Sequence, residues 1–274
     1  MHTKKCNVLS DIESLHSMNF YVDKLWEFDA LGISDPWENS KKKVMFSETA
    51  KQFQGNLVIL PDSRFEKIFD PLGLLYHTTL IQKWLLQESW KNKNSWDCPL
   101  PSNFQKEFLR WVKETISLNE IRIPRYLVMT KNSELYVFVD ACRKSYGACV
   151  YVRTVLDSSE VKAQLVRAKS RVAPIKEMSI SKLELMAYCI GTRLTHSIKV
   201  AFDLPDMLIT YWSNSMTALW WIREHGEWSI FVSNRVKEIR KLTSLEQWKH
   251  VPGNKNPADI VSRGCSPKQL TKSE

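Results

Sequence analysis

The sequence predicts an α/β protein, with a mixed five-stranded sheet flanked by helices and preceded by a helical segment. From Glu134 the hydrophobic period changes to two, because Leu135, Val137 and Val139 alternate with other side chains. This alternation is typical of a strand with one buried face. Upstream of that point, apolar residues recur every three or four positions, as in amphipathic helices. Downstream, the predicted elements follow the order β-β-β-α-β-α-α-β-α, which fits a mixed sheet covered by helices.

Two helices are predicted upstream of the sheet. The first covers about residues 78–93, where apolar side chains recur at helical spacing. The second opens at Ser102, because Gln105 follows three residues later and the two fit a capping box. From Phe104 onwards, apolar side chains recur at steps of three and four residues, which predicts one buried face for this helix.

The chain is predicted to have three parts, residues 1–64, 65–130 and 131–268. The first part carries too little apolar surface for a core of its own, so we expect it to be loosely ordered. The second part is the helical segment, and the third contains all five strands. A length of 274 residues accommodates one or two domains of ordinary size.

The third part supplies the elements of the predicted sheet and its covering helices. Strands are predicted at about 135–140, 146–152, 161–168, 207–212 and 247–251. Helices are predicted at about 181–201, from residue 215 onwards and at 230–242. Gly147 and Ala148 lie inside the second strand, which predicts a position where only small side chains fit.

The charge of the chain is concentrated in its C-terminal half. The whole sequence has a formal net charge of +9. Residues 131–274 alone carry twenty-two Lys and Arg against fourteen Asp and Glu, a surplus of eight positive charges. A basic surplus of this size favours a polyanionic partner such as a nucleic acid. No apolar run approaches the roughly 18 residues that a bilayer requires, so no membrane association is expected.

The cysteines indicate a reducing, intracellular compartment. Six are present, and no pair has the C-x-x-C spacing of a zinc site or a redox motif. Cys149 and Cys189 lie in apolar patterns and are interpreted as small buried hydrophobic residues. The basic run 41–43 is too short to indicate a nuclear signal, so the choice between cytoplasm and nucleus stays open.

Four polar residues lie at or just after the ends of predicted elements: Asp140, Glu184, Asn214 and Asp259. They are 30 to 45 residues apart, so only the fold can bring them together. Clustered carboxylates at such positions are what a two-metal phosphodiester hydrolase requires, because Mg²⁺ prefers oxygen ligands and can activate a water. The spacing by itself does not decide between this role and a structural one.

Each of these residues also has a structural interpretation. Asp140 can begin the turn after its strand, and Glu184 can form a capping box with Ser181. Asp259 can stabilise a helix N-terminus through the helix dipole. Asn214 can act as a helix cap or a turn residue.

A basic stretch leads into the helix that carries Glu184. Arg167, Lys169, Arg171 and Lys176 are candidates for neutralising the phosphates of a bound duplex. The alternative is a solvated loop with no binding role.

Aromatic residues and one histidine lie near the predicted site. Trp220, Trp221 and Trp228 could stack on bases, although aromatic residues at helical spacing usually belong to a core. His250 lies on a predicted strand and is interpreted as a structural residue with its hydrogen bonds satisfied.

Several sequence words resemble the polyproteins of BEL/Pao retroelements. The resemblance covers about residues 68–270, and a further stretch before it, LWEFDALGISDPW (25–37), resembles the region that precedes the polymerase in those polyproteins. The words that carry it are FDPLGLL (69–75), AKSRVAPIK (168–176), LELMA (183–187) and HVPGNKNPADIVSRG (250–264).

The resemblance implies a connection segment followed by a ribonuclease H-like domain, with the palm of the reverse transcriptase missing. A palm and fingers need a few hundred residues, and only about thirty, residues 38–67, separate the two resembling regions. The stretch 21–24 resembles a polymerase Tyr-x-Asp-Asp box, but Lys24 replaces the second acid. No polymerase activity is expected.

The resemblance also implies site residues and a cofactor. Asp140, Glu184 and Asp259 match the family's catalytic, metal-binding acids, which hold two Mg²⁺ or Mn²⁺ ions and cut RNA paired with DNA. Asn214 stands where the family usually has an aspartate, in the pattern Trp212–Ser215. An amide carries no charge, so the hydrolysis is expected to be weakened.

Two classes of function therefore remain open. One is a weakened nuclease that acts on RNA–DNA hybrids. The other is a non-catalytic module that binds a hybrid or duplex, or another partner, as a domesticated or decaying retroelement product. The sequence does not identify a protein partner or an oligomeric state.

Overall fold

The computed structural model describes residues 70, 72–92, 102–121, 126–156 and 158–272. The predicted loosely ordered part, residues 1–64, lies outside these ranges. The strands are β1 (Glu134–Ala141), β2 (Ser145–Val155), β3 (Val161–Val172), β4 (Leu208–Ser213) and β5 (Trp248–His250). The helices are α1 (Tyr76–Lys91), α2 (Ser102–Glu114), α3 (Ile180–Phe202), α4 (Met216–Arg223), α5 (Ile230–Leu242), α6 (Ala258–Arg263) and α7 (Pro267–Leu270).

The five strands form one mixed sheet in the order β3-β2-β1-β4-β5. β1 pairs antiparallel with β2, and β2 pairs antiparallel with β3. β4 lies parallel to β1, and β5 lies parallel to β4. Parallel neighbours need a crossover, and helices supply it after β3 and after β4. The predicted α/β class and its mixed five-stranded sheet are therefore confirmed.

The main core lies between the sheet and α3. Val137 and Val139 point from β1 to this side and are fully buried, together with Leu185 and Leu194 of α3. Gly191 lets the helix approach closely, because a Cβ there would lie 2.8 Å from Cγ1 of Val139. This packing fixes the start of α3 beside the end of β1, where two of the predicted acids lie.

Helix α6 packs on the opposite face of the sheet, near the end of β1. Gly147 makes this approach possible, because a Cβ there would lie 2.7 Å from the Lys169 carbonyl oxygen and 2.8 Å from Cγ1 of Val261. The prediction that only a small side chain fits at this point of β2 is confirmed. The close contact brings the N-terminal turn of α6 beside Asp140.

The helical segment docks on the outer edge of the sheet. The Ala168 N–H of β3 donates to the Leu72 carbonyl at 2.9 Å, so the turn before α1 pairs with the edge strand. Asp70 holds this turn by accepting bonds from the N–H groups of Leu74 and Leu75, at 2.8 and 2.7 Å. Further along, the Cys265 N–H donates to the carbonyl of residue 77 at 3.0 Å. The boundary between the second and third parts stays a prediction.

The cysteine and membrane expectations concern the described part of the chain. Cys149 and Cys189 are buried and form no disulfide, so their interpretation as small buried hydrophobic residues is confirmed. Cys265 is also buried, and Cys142 is half-buried. Among the described helices, none is both long and apolar enough to cross a bilayer.

Candidate active site

Asp140 lies near the end of β1 and is only 3% exposed. Its Oδ2 accepts a hydrogen bond from the Ser262 hydroxyl of α6, and the Asn214 amide donates a second bond to the carboxylate. Burial raises the pKa of Asp140, and the nearby Asp259 raises it further, while the two hydrogen bonds oppose the shift. This carboxylate is therefore the centre of the site, because it accepts hydrogen bonds from two separate segments, α6 and the residue after β4.

Glu184 lies in the first turns of α3 and is 4% exposed. It accepts a hydrogen bond from the Ala141 backbone N–H, and burial together with Asp140 raises its pKa to about 8. Its Oε2 is buried without a hydrogen-bond partner. A buried oxygen in this state costs free energy unless a proton or a cation satisfies it.

The capping interpretation of Glu184 is wrong. Helix α3 starts at Ile180 with Ser179 as its N-cap, and that serine makes no capping side-chain bond. Ser181 lies inside the helix, so it cannot form the predicted capping box with Glu184. The position of Glu184 is explained by its contact with the end of β1.

Asn214 follows directly after β4 and lies beside Asp140. Its Oδ1 accepts a bond from Nδ2 of Asn256 at 3.4 Å, which leaves its own amide group to donate to Asp140. The cap of the next helix is Ser215, which accepts from the Ala218 N–H at 3.3 Å. Asn214 is therefore not the helix cap, and its side chain belongs to the carboxylate site.

Asp259 lies in the first turn of α6, as one interpretation predicted. Its Oδ1 accepts a bond from Nε of Arg263 at 2.6 Å. Its charge is near enough to raise the pKa of Asp140. The fold thus brings together all four residues singled out by the sequence: Asp140, Glu184, Asn214 and Asp259.

Two further residues hold the site together and were not singled out from the sequence. Asn256 donates to the Val139 carbonyl at 2.9 Å and accepts from the Ala258 N–H at 3.1 Å, so it links β1 to the start of α6. Ser262 donates from α6 to Asp140. Both lie in the stretch HVPGNKNPADIVSRG, whose resemblance to the family could have drawn attention to them. No local sequence pattern, however, predicts that they lie near Asp140.

The donor set fits a divalent cation in its chemistry. Asp140 and Glu184 lie close enough for the charge of Asp140 to raise the pKa of Glu184, and Oε2 of Glu184 is buried without a hydrogen-bond partner, so both offer the oxygen ligands that such a cation prefers. Within the described ranges, however, no three His, Cys, Asp or Glu side chains form a ready-made metal cluster. Asp259 bonds instead to Arg263, so it would have to leave that cation to join the other two acids.

The basic stretch divides into residues with different surroundings. Three of its four residues lie on β3, which continues to Val172, so the alternative of a solvated loop is wrong for those three. Arg167 is 2% exposed and its Nη1 donates to the Ser197 hydroxyl at 3.5 Å, so this guanidinium is in the core and cannot reach a phosphate. The prediction of a nucleic-acid contact is wrong for Arg167. Lys169 and Arg171 are half-buried, and Lys176 is exposed after the strand.

The aromatic candidates and the histidine differ in how far they are exposed. Trp220 is 51% exposed, and Trp221 and Trp228 are half-buried. Trp221 and Trp228 pack against the core, whereas Trp220 contacts the edge of Trp228 at a centroid distance of 4.8 Å. His250 is exposed at the end of β5, and its interpretation as a structural residue stays a prediction.

A family model places the chain among known proteins. The model described as "Pao retrotransposon-like RNaseH-like domain" matches residues 62–215, which is more than half of the sequence. The chain belongs to this Pao family. The matched range includes Asp140, Glu184 and Asn214 and ends before Asp259. No curated protein matches the chain.

Several solved structures resemble this Pao-family chain at low identity. An N-terminal RNase H domain from Mycobacterium tuberculosis, fused to maltose-binding protein, is 9% identical with a TM-score of 0.33, covering 52% of this chain and 97% of that one. LC11-RNase H1, isolated from compost by a metagenomic approach and solved with an RNA/DNA hybrid, is 15% identical with a TM-score of 0.34 and coverages of 51% and 99%. A foamy viral protease-reverse transcriptase with double-stranded DNA is 16% identical with a TM-score of 0.29 and coverages of 74% and 36%.

Proposed function

We propose that this Pao-family domain derives from a ribonuclease H that cuts RNA in RNA–DNA hybrids, and that its hydrolytic activity is weakened. The observation that carries the proposal is the contact of Asn214 with Asp140, at the place where the family pattern has an aspartate. The neighbouring acids are retained in the fold, whereas one of four negative charges is absent. The site is then a nuclease site with an incomplete set of charges.

The retained residues have distinct roles in this proposal. Asp140, Glu184 and Asp259 would hold Mg²⁺ or Mn²⁺, two ions in an active site, and such ions polarise the phosphate and activate a water. Ser262 donates to Asp140 and thereby fixes the direction of its carboxylate. Glu184 keeps one oxygen free of protein hydrogen bonds, which is the arrangement expected of a ligand.

The amide weakens the site in two ways. Replacing a carboxylate by an amide removes its attraction to the cations, and each pair of unit charges roughly 4 Å apart is worth about 4 kcal/mol at an effective dielectric near 20. A loss of roughly 3 to 5 kcal/mol in the transition state lowers a rate by about 10² to 10⁴-fold. The amide also donates a hydrogen bond to Asp140, so it uses acceptor capacity that a metal ion would need.

The nucleic-acid contact rests on the charge of this half of the chain. Residues 131–274 have a surplus of eight positive charges. Lys169, Arg171 and Lys176 are the members of the basic stretch that are at least partly exposed. We assign them to the phosphates of a bound hybrid or duplex, which predicts a binding constant that falls with salt.

The test is cleavage of an end-labelled RNA–DNA hybrid in Mg²⁺ and in Mn²⁺. We expect Asn214→Asp to cut at least about 100-fold faster than the wild type, because it restores the missing charge. Asp140→Asn in the Asn214→Asp background should abolish the cleavage. Asn254→Asp adds the same charge at an exposed residue of the short 3-10 helix before α6, and it should not increase the rate. A wild type as fast as Asn214→Asp would contradict the proposal, and so would an inactive Asn214→Asp that still folds.

A second candidate function is a non-catalytic nucleic-acid-binding module. The ion pair between Asp259 and Arg263 favours it, because this acid is already neutralised without a metal. This function predicts hybrid binding in EDTA that weakens steeply with salt and is unchanged in Asp140→Asn. Equal affinity at low and high salt would exclude it.

A further inference from the structure

The face of the sheet opposite α3 carries an aromatic platform, formed by Tyr136, Phe138, Tyr151 and Trp212. Phe138 and Trp212 are direct neighbours across β1 and β4, with ring centroids 6.4 Å apart and planes inclined by 16°. The Tyr136 and Trp212 centroids are 5.9 Å apart, and Tyr151 meets Phe138 edge-on at 6.0 Å. The rings form one group on three adjacent central strands.

Helix α6 covers only one end of this platform. Phe138 and Tyr151 pack against the cluster that α6 forms with the sheet. Tyr136 and Trp212 belong to neither hydrophobic cluster of the described residues. Both are half-buried, and the indole N–H of Trp212 lies below the surface without a hydrogen-bond partner. On the same face of β4, Leu208 is 68% exposed.

Cations lie over the rings of Tyr136 and Trp212. The Arg153 guanidinium is 5.8 Å from the centroid of Tyr136, and the Lys249 ammonium is 5.7 Å from that of Trp212. One acid, Glu134, pairs in register with Arg153 on this face. Aromatic rings with cations beside them match the chemistry of a nucleotide, which offers a flat base and a charged phosphate.

The platform also leads directly to the carboxylate site. Phe138 and Asp140 are two residues apart on β1, so they lie on the same face of the sheet. Trp212 and Asn214 have the same spacing, and Asn214 follows directly after β4. A strand that stacks along the rings would therefore arrive at Asp140. A face that binds another protein would not require the path from the rings to Asp140, nor the two cations beside the rings.

We propose that the aromatic platform binds single-stranded nucleic acid, with bases stacked on Tyr136 and Trp212 and phosphates contacted by Arg153 and Lys249. Stacking on sheet-borne aromatic side chains is a general way of holding unpaired bases, and it tolerates different sequences. The proposal is independent of hydrolysis, since it requires neither the metal ions nor the acids. It adds a binding surface separate from the basic stretch on β3.

The test measures the fluorescence anisotropy of labelled oligo(dT) and oligo(U) of about 15 nucleotides with the full chain in EDTA. We expect Trp212→Ala to weaken binding about tenfold or more, and Trp212→Phe to retain most of the affinity. Arg153→Gln should reduce the slope of log affinity against log salt by about 0.7, the value for one phosphate of a single strand. The matched control is Trp220→Ala, which removes an exposed tryptophan outside the platform and should leave binding unchanged.

A second measurement does not depend on a folded variant. Oligonucleotides containing 4-thiouridine, cross-linked to the wild type by light, should label the tryptic peptide 132–143, which contains Tyr136. Two results would overturn the proposal. One is equal affinity of wild type and folded Trp212→Ala. The other is self-association of the wild type that Trp212→Ala abolishes while oligonucleotide binding persists, because the face would then be a protein interface.

Discussion

Nε of Arg263 lies 2.6 Å from Oδ1 of Asp259, one turn apart on α6. The side chains are 68% and 44% exposed, so the pair contributes little to stability. Its importance is its position, because the acid it neutralises is one that the proposed nuclease needs for a metal ion. An internal cation therefore competes with any external one for this carboxylate.

Removing this internal cation should strengthen metal binding. We expect Arg263→Gln to raise the affinity for Mn²⁺ a few-fold, since an exposed ion pair is worth about 0.2 to 1 kcal/mol. The measurement is titration of the folded protein with Mn²⁺, following free Mn²⁺ by electron paramagnetic resonance. Lys268→Gln removes an exposed charge just beyond α6 and serves as the control. An unchanged affinity in Arg263→Gln would show that the pair does not compete with the metal.

The turn before α1 depends on a glycine at position 73. Its φ is +73°, and a Cβ there would lie 1.8 Å from the Ala168 carbonyl oxygen on β3. Both the backbone conformation and the contact exclude a side chain, so Gly73→Ala should lower the free energy of unfolding by about 2 kcal/mol or more. The measurement is urea unfolding.

The matched control is Gly253→Ala. A Cβ at Gly253 would meet only Nδ2 of Asn214, at an ordinary distance of 3.4 Å. We expect the free energy of unfolding of Gly253→Ala to stay within about 0.5 kcal/mol of the wild-type value. If Gly73→Ala is equally mild, the turn does not pack on β3 as described.

His77 should make the fold sensitive to mild acid. Its side chain is 7% exposed, Nε2 has no hydrogen-bond partner, and burial lowers its pKa to about 4. The unfolded chain, with an ordinary histidine pKa near 6.5, binds a proton first, so stability is full above pH 6.5 and is lost as the pH falls towards 4. Between pH 7.5 and pH 5 the loss from this group is about 2 kcal/mol.

The measurement is urea unfolding at both pH values. His77→Gln should be about 2 kcal/mol less sensitive to this change in pH than the wild type. His196→Gln, at an exposed histidine on α3, is the control and should keep the wild-type difference. If His77→Gln and the wild type lose stability equally, His77 accepts a proton in the folded state without cost.

Most of the fold could be predicted because helices and strands follow local periodicity. Helix α5 was predicted at 230–242, the range it occupies, and β1 was predicted to within one residue. The four site residues could be proposed because turns and element ends are visible in the sequence, and the family words selected among them. These residues are 30 to 45 positions apart in the sequence, and the order of the strands in the sheet brings them together. Hydrophobic periodicity does not predict that order.

The errors came from contacts that no local pattern records. Arg167 was assigned to the surface because of its charge, but the pairing of β2 with β3 shifts register between Val150 and Tyr151, which inserts Val166 as an extra residue. Such a bulge changes the face on which the following side chains lie. Arg167 is therefore directed at Ser197 of α3. The hydrogen bond that Asn256 donates to Asn214 could not be predicted from local sequence either, because the two residues are 42 positions apart.

This difference within the basic stretch yields a prediction about nucleic-acid binding. Lys169→Gln should weaken hybrid binding at low salt and reduce the slope of log affinity against log salt by about 0.9, the value for one duplex phosphate, with little change in stability. Arg167→Gln should leave that slope unchanged, because its guanidinium is 2% exposed. Arg167→Gln should instead lower the free energy of unfolding by about 1 to 3 kcal/mol, since it disturbs a buried hydrogen-bonded charge. Hybrid titrations at several salt concentrations, paired with urea unfolding of both variants, separate the two effects. A reduced salt slope in folded Arg167→Gln would mean that this guanidinium reaches the phosphates, against its buried position on β3.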